Sequence, residues 1–479
     1  MKLNNIIIDN QQYKNIEKYE KNFIFTKEYI ETKRCENINT HIIIVGMGPA
    51  GLFAAWVLAH QGFDVMIIEQ GKKVEERIKD IDDFQNNSNL NVYSNIHFGE
   101  GGAGCFSDGK LQTNVNTPFC EYVFETFVSK GADQNILYET MPHIGTDVLR
   151  KVIINMREQL LTLGVKILYN HEVFDFNPNN KEIYCHDLKE LKDKKISYDK
   201  LILACGHSAK NIYEMLKKYK AEMKPKNFSV GVRIEHLQKN INKALYHGDY
   251  PNLPPASYKL VSHLNNGRSC YSFCMCPGGY VVNATSTPNK IITNGMSFHA
   301  RNSSQANSAL LVGINADDYY HGDILDGLKY VEQIESKAWQ AVNQNNQNNK
   351  YLTPVCLLKD FMNKKASTKL GKIIPSVKPG YAFYNIWEIL PDYVCEAIKD
   401  SIYFFNKKIP GFNDGDAVIS APETRTSSVI TILRNEESYE ASIKDVYVIG
   451  EGSGYSGGIT TSCIDGVKCA MLINNLNIK

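Results

Sequence analysis

Two stretches of this sequence space their glycines as phosphate-holding loops do. In "VGMGPAGL", Gly46, Gly48 and Gly51 fall at G-x-G-x-x-G. There the first glycine makes a tight turn, the second lets backbone approach a pyrophosphate, and the third lets a helix close on a strand. Glu69 follows at about 20 residues, where a carboxylate accepts ribose hydroxyls and repels a 2′-phosphate. In "GCFSDGKL", Gly104, Gly109 and Lys110 match G-x-x-x-x-G-K, but Leu111 stands where a hydroxyl would ligate magnesium. The following "DGKLQTNVNTP" is too rich in turn formers to start the helix that a triphosphatase loop needs.

Other candidates lie farther on. Arg301 in "FHARNSS" and Arg425 in "PETRTSS" are polar-flanked arginines in small-residue segments, suited to gripping a carboxylate or phosphate through the guanidinium fork. His299 and His207 are candidates for acid–base work, since free imidazole titrates in the range it needs, with a hydrogen-bonded structural role as the alternative for each. Cys274 and Cys276 form C-x-C, which strains a local disulfide and lacks the second pair of a zinc site. On a strand both thiols would share one face. Packing is the expectation for both, a redox role the alternative, and no metal site is expected.

The elements that must position these residues read clearly at both ends of the chain. "HIIIV" is a wholly apolar run, the pattern of a strand buried on both faces of a parallel sheet. Pro49 opens the helix "PAGLFAAWVLAH", whose first turn, with Ala50, would face the phosphates, and "DVMIIE" is the next strand. "VKILYNHEVFDF" and "YDKLILACGHSA" read as two further strands. Near the end, "DVYVIGEGSG" is again a buried strand running into glycines. The fold expected is α/β: a doubly wound dinucleotide-binding domain, interrupted by an inserted mainly-β α+β substrate domain. The divisions are an extension over 1–40, the first part of the binding domain over 41–225, the insertion over 226–435, and the return over 436–479. Within the insertion "FSVGVRIEH" and "GGYVVNATS" suggest alternating strands, "GLKYVEQIESKAWQAVNQ" a helix, and "NQNNQNNK" a solvated loop.

The ordered set "FGEGGAGCFSDGKL", "VGVRIEH", "CMCPGGYVVNATS", "NGMSFHARNSSQANSAL", "APETRTSS" and "GEGSGYSGGITTSCIDG" resembles the family of bacterial FAD-dependent dehydrogenases, within the flavoproteins of two dinucleotide-binding domains. The resemblance covers about residues 41–475. It implies FAD, with the ADP half on the first glycine turn. The loop Gly450, Glu451, Gly452, followed by Gly457, Gly458 and Ile459, would hold the ribityl and flavin end, a Glu standing where the usual residue is Asp. Gly101, Gly102, Ala103, Gly104 and Ser107 would pass the pyrophosphate and isoalloxazine. Asp108 and Lys110 would lie near the flavin N1 to N5 edge, where a positive charge stabilises reduced flavin; a solvated loop lysine is the other reading of Lys110. Val173 would meet adenine through its backbone, and Cys205, Gly206 and His207 would close the strand beneath the cofactor. Many members carry a larger N-terminal domain, so whatever it contributes is expected to be missing here.

The implied activity is an FAD-dependent oxidoreductase of a small anionic substrate, with Arg425, Arg301, His299 and Lys110 as catalytic candidates. No second G-x-G-x-x-G sits between strand and helix, so hydride would come from the substrate, from transiently bound NAD(P)H, or from a protein donor. A flavin-binding redox sensor and an RNA-modifying flavoprotein are the alternatives. Against the latter stands the balance of 53 basic and 52 acidic residues, which gives no global field to attract nucleic acid. The opening residues lack a signal-peptide core, no window is apolar enough to span a membrane, and scattered cysteines fit a reducing compartment, so a cytoplasmic protein is expected. The oligomeric state is open.

Overall fold

The computed structural model describes residues 29–31, 39–115, 117–265, 267–346 and 351–476. Most of the N-terminal extension and part of "NQNNQNNK" lie outside them. Of the extension, Ile30 is buried, and its carbonyl accepts from the Gln61 side chain.

The strands β1 (His41–Val45), β2 (Asp64–Glu69) and β3 (Lys166–Tyr169) lie side by side in parallel. Helix α1 (Pro49–His60) links β1 to β2, and α2 (Val74–Asn87) follows β2. Only glycine fits the first turn: Gly46 sits at φ +99° with Ala204 O where a Cβ would go, and Gly51 packs α1 against Gly46 O. The expected long strand over 165–176 is broken at Asn170, which takes a left-handed conformation at φ +59°. Its second half is β4 (His171–Asn177), paired in a separate antiparallel sheet with β5 (Glu182–Asp187) and β6 (Lys192–Ser197). The chain then returns as β7 (Lys200–Leu203) on the other side of β1.

After β8 (Met223–Pro225) comes a system that is antiparallel except where β16 joins β15 in parallel. Its strands are β9 (Phe228–Leu237), β10 (Val261–His263), β11 (Ser269–Cys276), the hairpin β12 (Tyr280–Asn283) and β13 (Thr293–Met296), β14 (Gln305–Ile314), β15 (Thr353–Leu357), β16 (Tyr381–Phe383) and β17 (Val418–Glu423). Seven of them form one sheet in the order β10-β11-β14-β9-β17-β15-β16. The alternation expected of β9 is absent, because it is a central strand, buried along both faces. A helix over Asp392–Lys408 packs on β9, β11 and β14, and the β12–β13 hairpin also packs on this sheet. The helix expected near 327–344 spans Asp326–Asn343.

Strand β18 (Ile430–Ile432) pairs with β8, and β19 (Val446–Val448) joins β7, completing a parallel sheet ordered β19-β7-β1-β2-β3. The order reverses between β1 and β7, and a crevice opens there beyond the carboxyl ends of the strands, where open α/β sheets bind ligands. Among the described residues no helix is long and apolar enough to cross a membrane.

Candidate functional site

One cleft at that crevice gathers glycine loops from both ends of the chain. Gly46, Gly48, Pro49, Ala50 and Glu69 line it from the first turn, and Gly102, Ala103, Gly104, Ser107, Asp108 and Lys110 from the second loop. Cys205, Gly206 and His207 follow β7, and Gly450, Glu451, Gly457, Gly458 and Ile459 follow β19. Gly51, Gly101 and Gly452 stand just behind the wall, where each lets two backbones or a close side chain approach. Val173 is buried in β4 outside the cleft wall, with its carbonyl accepting from Asn211 Nδ2.

The residues fit FAD. Gly48 caps α1 without any side-chain hydrogen bond, leaving the helix start open to an anion. Glu69 is preset at the end of β2: its Oε2 accepts the Met47 amide at 2.8 Å and its Oε1 the Gly71 amide at 2.9 Å. His207 Nδ1 lies 3.3 Å from Glu451 Oε2, while its Nε2 is buried with no partner among the described residues, a polar atom left for a ligand.

The loop 95–111 starts no long helix; the next begins only at Pro118, so the triphosphatase match is accidental. Arg77 of α2 holds this loop from below. Its Nε donates to Asn95 O, Nη2 to Ile96 O, and Nη1 to Gly99, Glu100 and Gly102 O. Burial pushes Arg77 down to about 10, so it keeps its charge at neutral pH. Lys110 Nζ donates to Met275 O and sits 3.4 Å from Asp108. Burial acts to raise the Asp108 carboxyl, but Lys110, His143, Arg301 and the Ser297 hydroxyl together hold it below its ordinary range.

The inserted sheet forms the opposite wall, and here the expectations change. The guanidinium fork of Arg425 is already engaged: Nε and Nη2 bind the two oxygens of buried Glu335 at 2.7 and 2.9 Å. Nη1 alone has no protein partner among the described residues, and Arg425 lines the cleft. It can offer a ligand one charged donor, not a fork. His299 and Arg301 do not reach the cleft wall. His299 shares its Nδ1 with Ile144 O, and Arg301 turns to Asp108 at 3.4 Å. The two cysteines part company as well. A bulge in β11 and a left-handed Cys274, φ +40°, break the strand alternation, so Cys276 is buried while Cys274 faces the cleft. Packing therefore accounts for Cys276 only.

One group in the cleft escaped the sequence reading. His97 lines it, with Nδ1 at 3.1 Å from the hydroxyls of both Ser208 and Ser286. Burial, then His207 and Arg425, hold His97 far below its ordinary range, so the ring is neutral. The signal was at hand, a histidine leading directly into a glycine-rich loop. Its partners, 111 and 189 residues away, were not.

Two family models match the chain. Residues 40–230 match the pyridine nucleotide-disulphide oxidoreductases, and residues 227–426 the FAD-dependent protein, C-terminal domain-like family. An uncharacterized protein of Clostridium beijerinckii is 40% identical over 438 residues, 91% of this chain and 81% of the relative. Among solved structures, the glycerol-3-phosphate dehydrogenase of Bacillus halodurans complexed with FAD is 11% identical. That alignment covers 96% of this chain and 68% of the other at a TM-score of 0.38. A flavoprotein/dehydrogenase of Cytophaga hutchinsonii is also 11% identical, covering 92% and 80% at 0.38.

Proposed function

The chain belongs to the family of FAD-dependent dehydrogenases and is an FAD-dependent oxidoreductase, and from that premise we propose that it exchanges hydride between flavin N5 and a small anionic molecule held between His97 and Arg425. The observation that carries this reading is that one cleft is lined both by the glycine loops and by these two side chains. When bound, FAD supplies the hydride chemistry. The chain's own groups do the rest. Gly48 and Glu69 hold the ADP half. Arg425 Nη1 donates a charge-assisted bond to a carboxylate or carbonyl of the substrate. His97, neutral and fixed at Nδ1 by two serines, uses Nε2 to take or return the proton on the heteroatom beside the reacting carbon. NAD(P)H, as a transient reductant, would enter the same cleft.

Anaerobic bleaching of the flavin by a panel of hydroxy acids, amino acids and NAD(P)H tests the reading. A small acid should bleach the wild type and fail with Arg425→Lys, while FAD content stays unchanged. Equal bleaching rates in the wild type, Arg425→Lys and His97→Gln would remove both residues from the reaction.

A further inference from the structure

Arg77 is fully buried, and burying a cation is costly unless an opposite charge accompanies it. The other deeply buried arginines obey that rule: Arg233 pairs with Glu423, Arg425 with Glu335, Arg157 with Glu100 and Arg434 with Asp465. Arg77 spends its donors on five backbone carbonyls, with no carboxylate at ion-pair distance among the described residues. A second cation deepens the imbalance. Arg77 and Arg150 both lie over the Phe106 ring, at 4.4 and 4.1 Å from its centre.

The five carbonyls belong to the loop that lines the cleft. A trans peptide points its carbonyl and amide in opposite directions. Holding Gly102 O on Arg77 therefore turns the Ala103 amide away from Arg77, and Ala103 lines the cleft. The loop touches the first glycine turn, for a Cβ on Gly102 would come within 3.0 Å of Gly48 Cα. Gly99 makes room for the clamp: at φ +125°, its Cβ would lie 2.5 Å from Arg77 Cδ.

We propose that Arg77 is the positioning residue of the cofactor loop, holding Gly102 O inward so that the Ala103 amide faces the cleft, and that the pyrophosphate of bound FAD supplies the counter-charge that no carboxylate among the described residues gives at ion-pair distance. The proposal rests on FAD as resident cofactor and is independent of the substrate.

The holoprotein tests it through phosphorus NMR of bound FAD and the FAD dissociation constant from flavin fluorescence, in Arg77→Lys, Arg77→Met and Gly99→Ala. Lysine keeps the charge but not the fork, so it should weaken FAD about tenfold, and methionine about a hundredfold or more. In the lysine and Gly99→Ala proteins, with circular dichroism unchanged, the pyrophosphate resonances should move. Equal FAD loss in the lysine and methionine proteins, no loss in either, or resonances coincident with wild type would reduce Arg77 to a clamp of the fold and overturn the proposal. Should the methionine protein fail to fold, Gly99→Ala, which displaces the guanidinium without removing its charge, decides by its resonances alone.

Discussion

Two buried arginines of this molecule face opposite electrostatic situations. Arg233, in the inserted sheet, is completed by the protein: Glu423 takes it in a two-point bond, and Asn307, Asn294 and Cys274 O accept its remaining donors. Arg77, under the cofactor loop, is held by carbonyl dipoles beside a second cation, with Glu69 and Glu100 near enough to favour its charge but outside ion-pair distance. Arg233 is thus paired before anything binds, whereas Arg77 has no carboxylate at ion-pair distance among the described residues. A site that closes its own charges sets a shape for the substrate; one left open waits for an anion.

The largest effect that would test this contrast is on stability. Arg233→Met strands Glu423 in the core and should cost about 3–5 kcal/mol, read from the urea midpoint with FAD content per folded molecule unchanged. A cost near zero would mean the inserted wall is not closed by this pair. Next comes the nucleotide side. Glu69→Ala removes the carboxylate at the end of β2 and should weaken FAD by roughly 10- to 100-fold, about 1.4–2.8 kcal/mol, without unfolding the protein. Wild-type affinity in that variant would dissociate Glu69 from the cofactor.

A third test uses pH, because the two regions respond to acid in opposite senses. His143, beside Asp108, is pushed down to about 4 by burial, while burial pushes Glu235 of β9 up to about 7. A depressed histidine contributes stability that is present above about 6.5 and lost as pH falls toward its folded value. A raised carboxyl contributes stability that is present below about 4.5 and lost as pH rises through 7. Between pH 5 and 6.5, His143→Gln should therefore make the protein less sensitive to acid, and Glu235→Gln should make it more sensitive to acid, each by up to about 1.4 kcal/mol per pH unit. Parallel changes in urea titrations at the two pH values would refute the assignment. The smallest effect belongs to Cys274→Ser, which replaces a thiol facing the cleft and should alter stability by under about 0.5 kcal/mol. A larger loss would show that the thiol is packed after all.

The first glycine turn was legible in the sequence, while Arg77, His97 and the ion pairs of the inserted wall were not, for a physical reason. Gly46, Gly48, Gly51 and Glu69 lie within one strand-helix-strand unit, where turn geometry dictates residue type locally. Arg233 and Glu423 are 190 residues apart, Arg425 and Glu335 about as invisible at 90, and their pairing is decided by sheet order alone. An arginine inside the buried run "VGVRIEH" was a flag that a carboxylate had to exist, though not which one. The Cys274 bulge and the break at Asn170 were equally hidden, since both depend on one residue taking a left-handed turn inside an apolar run.

The edge strand β19 has a consequence in time. The first glycine turn is made long before β19 and the loop behind it, which are made last of the cleft's walls. At about 5–20 residues per second, the roughly 400 intervening residues take about 20 to 80 seconds. During that interval the ribosome holds out half a nucleotide crevice. Stable capture of FAD is therefore an event that follows translation, and a nascent chain stalled before residue 446 should leave the ribosome colourless.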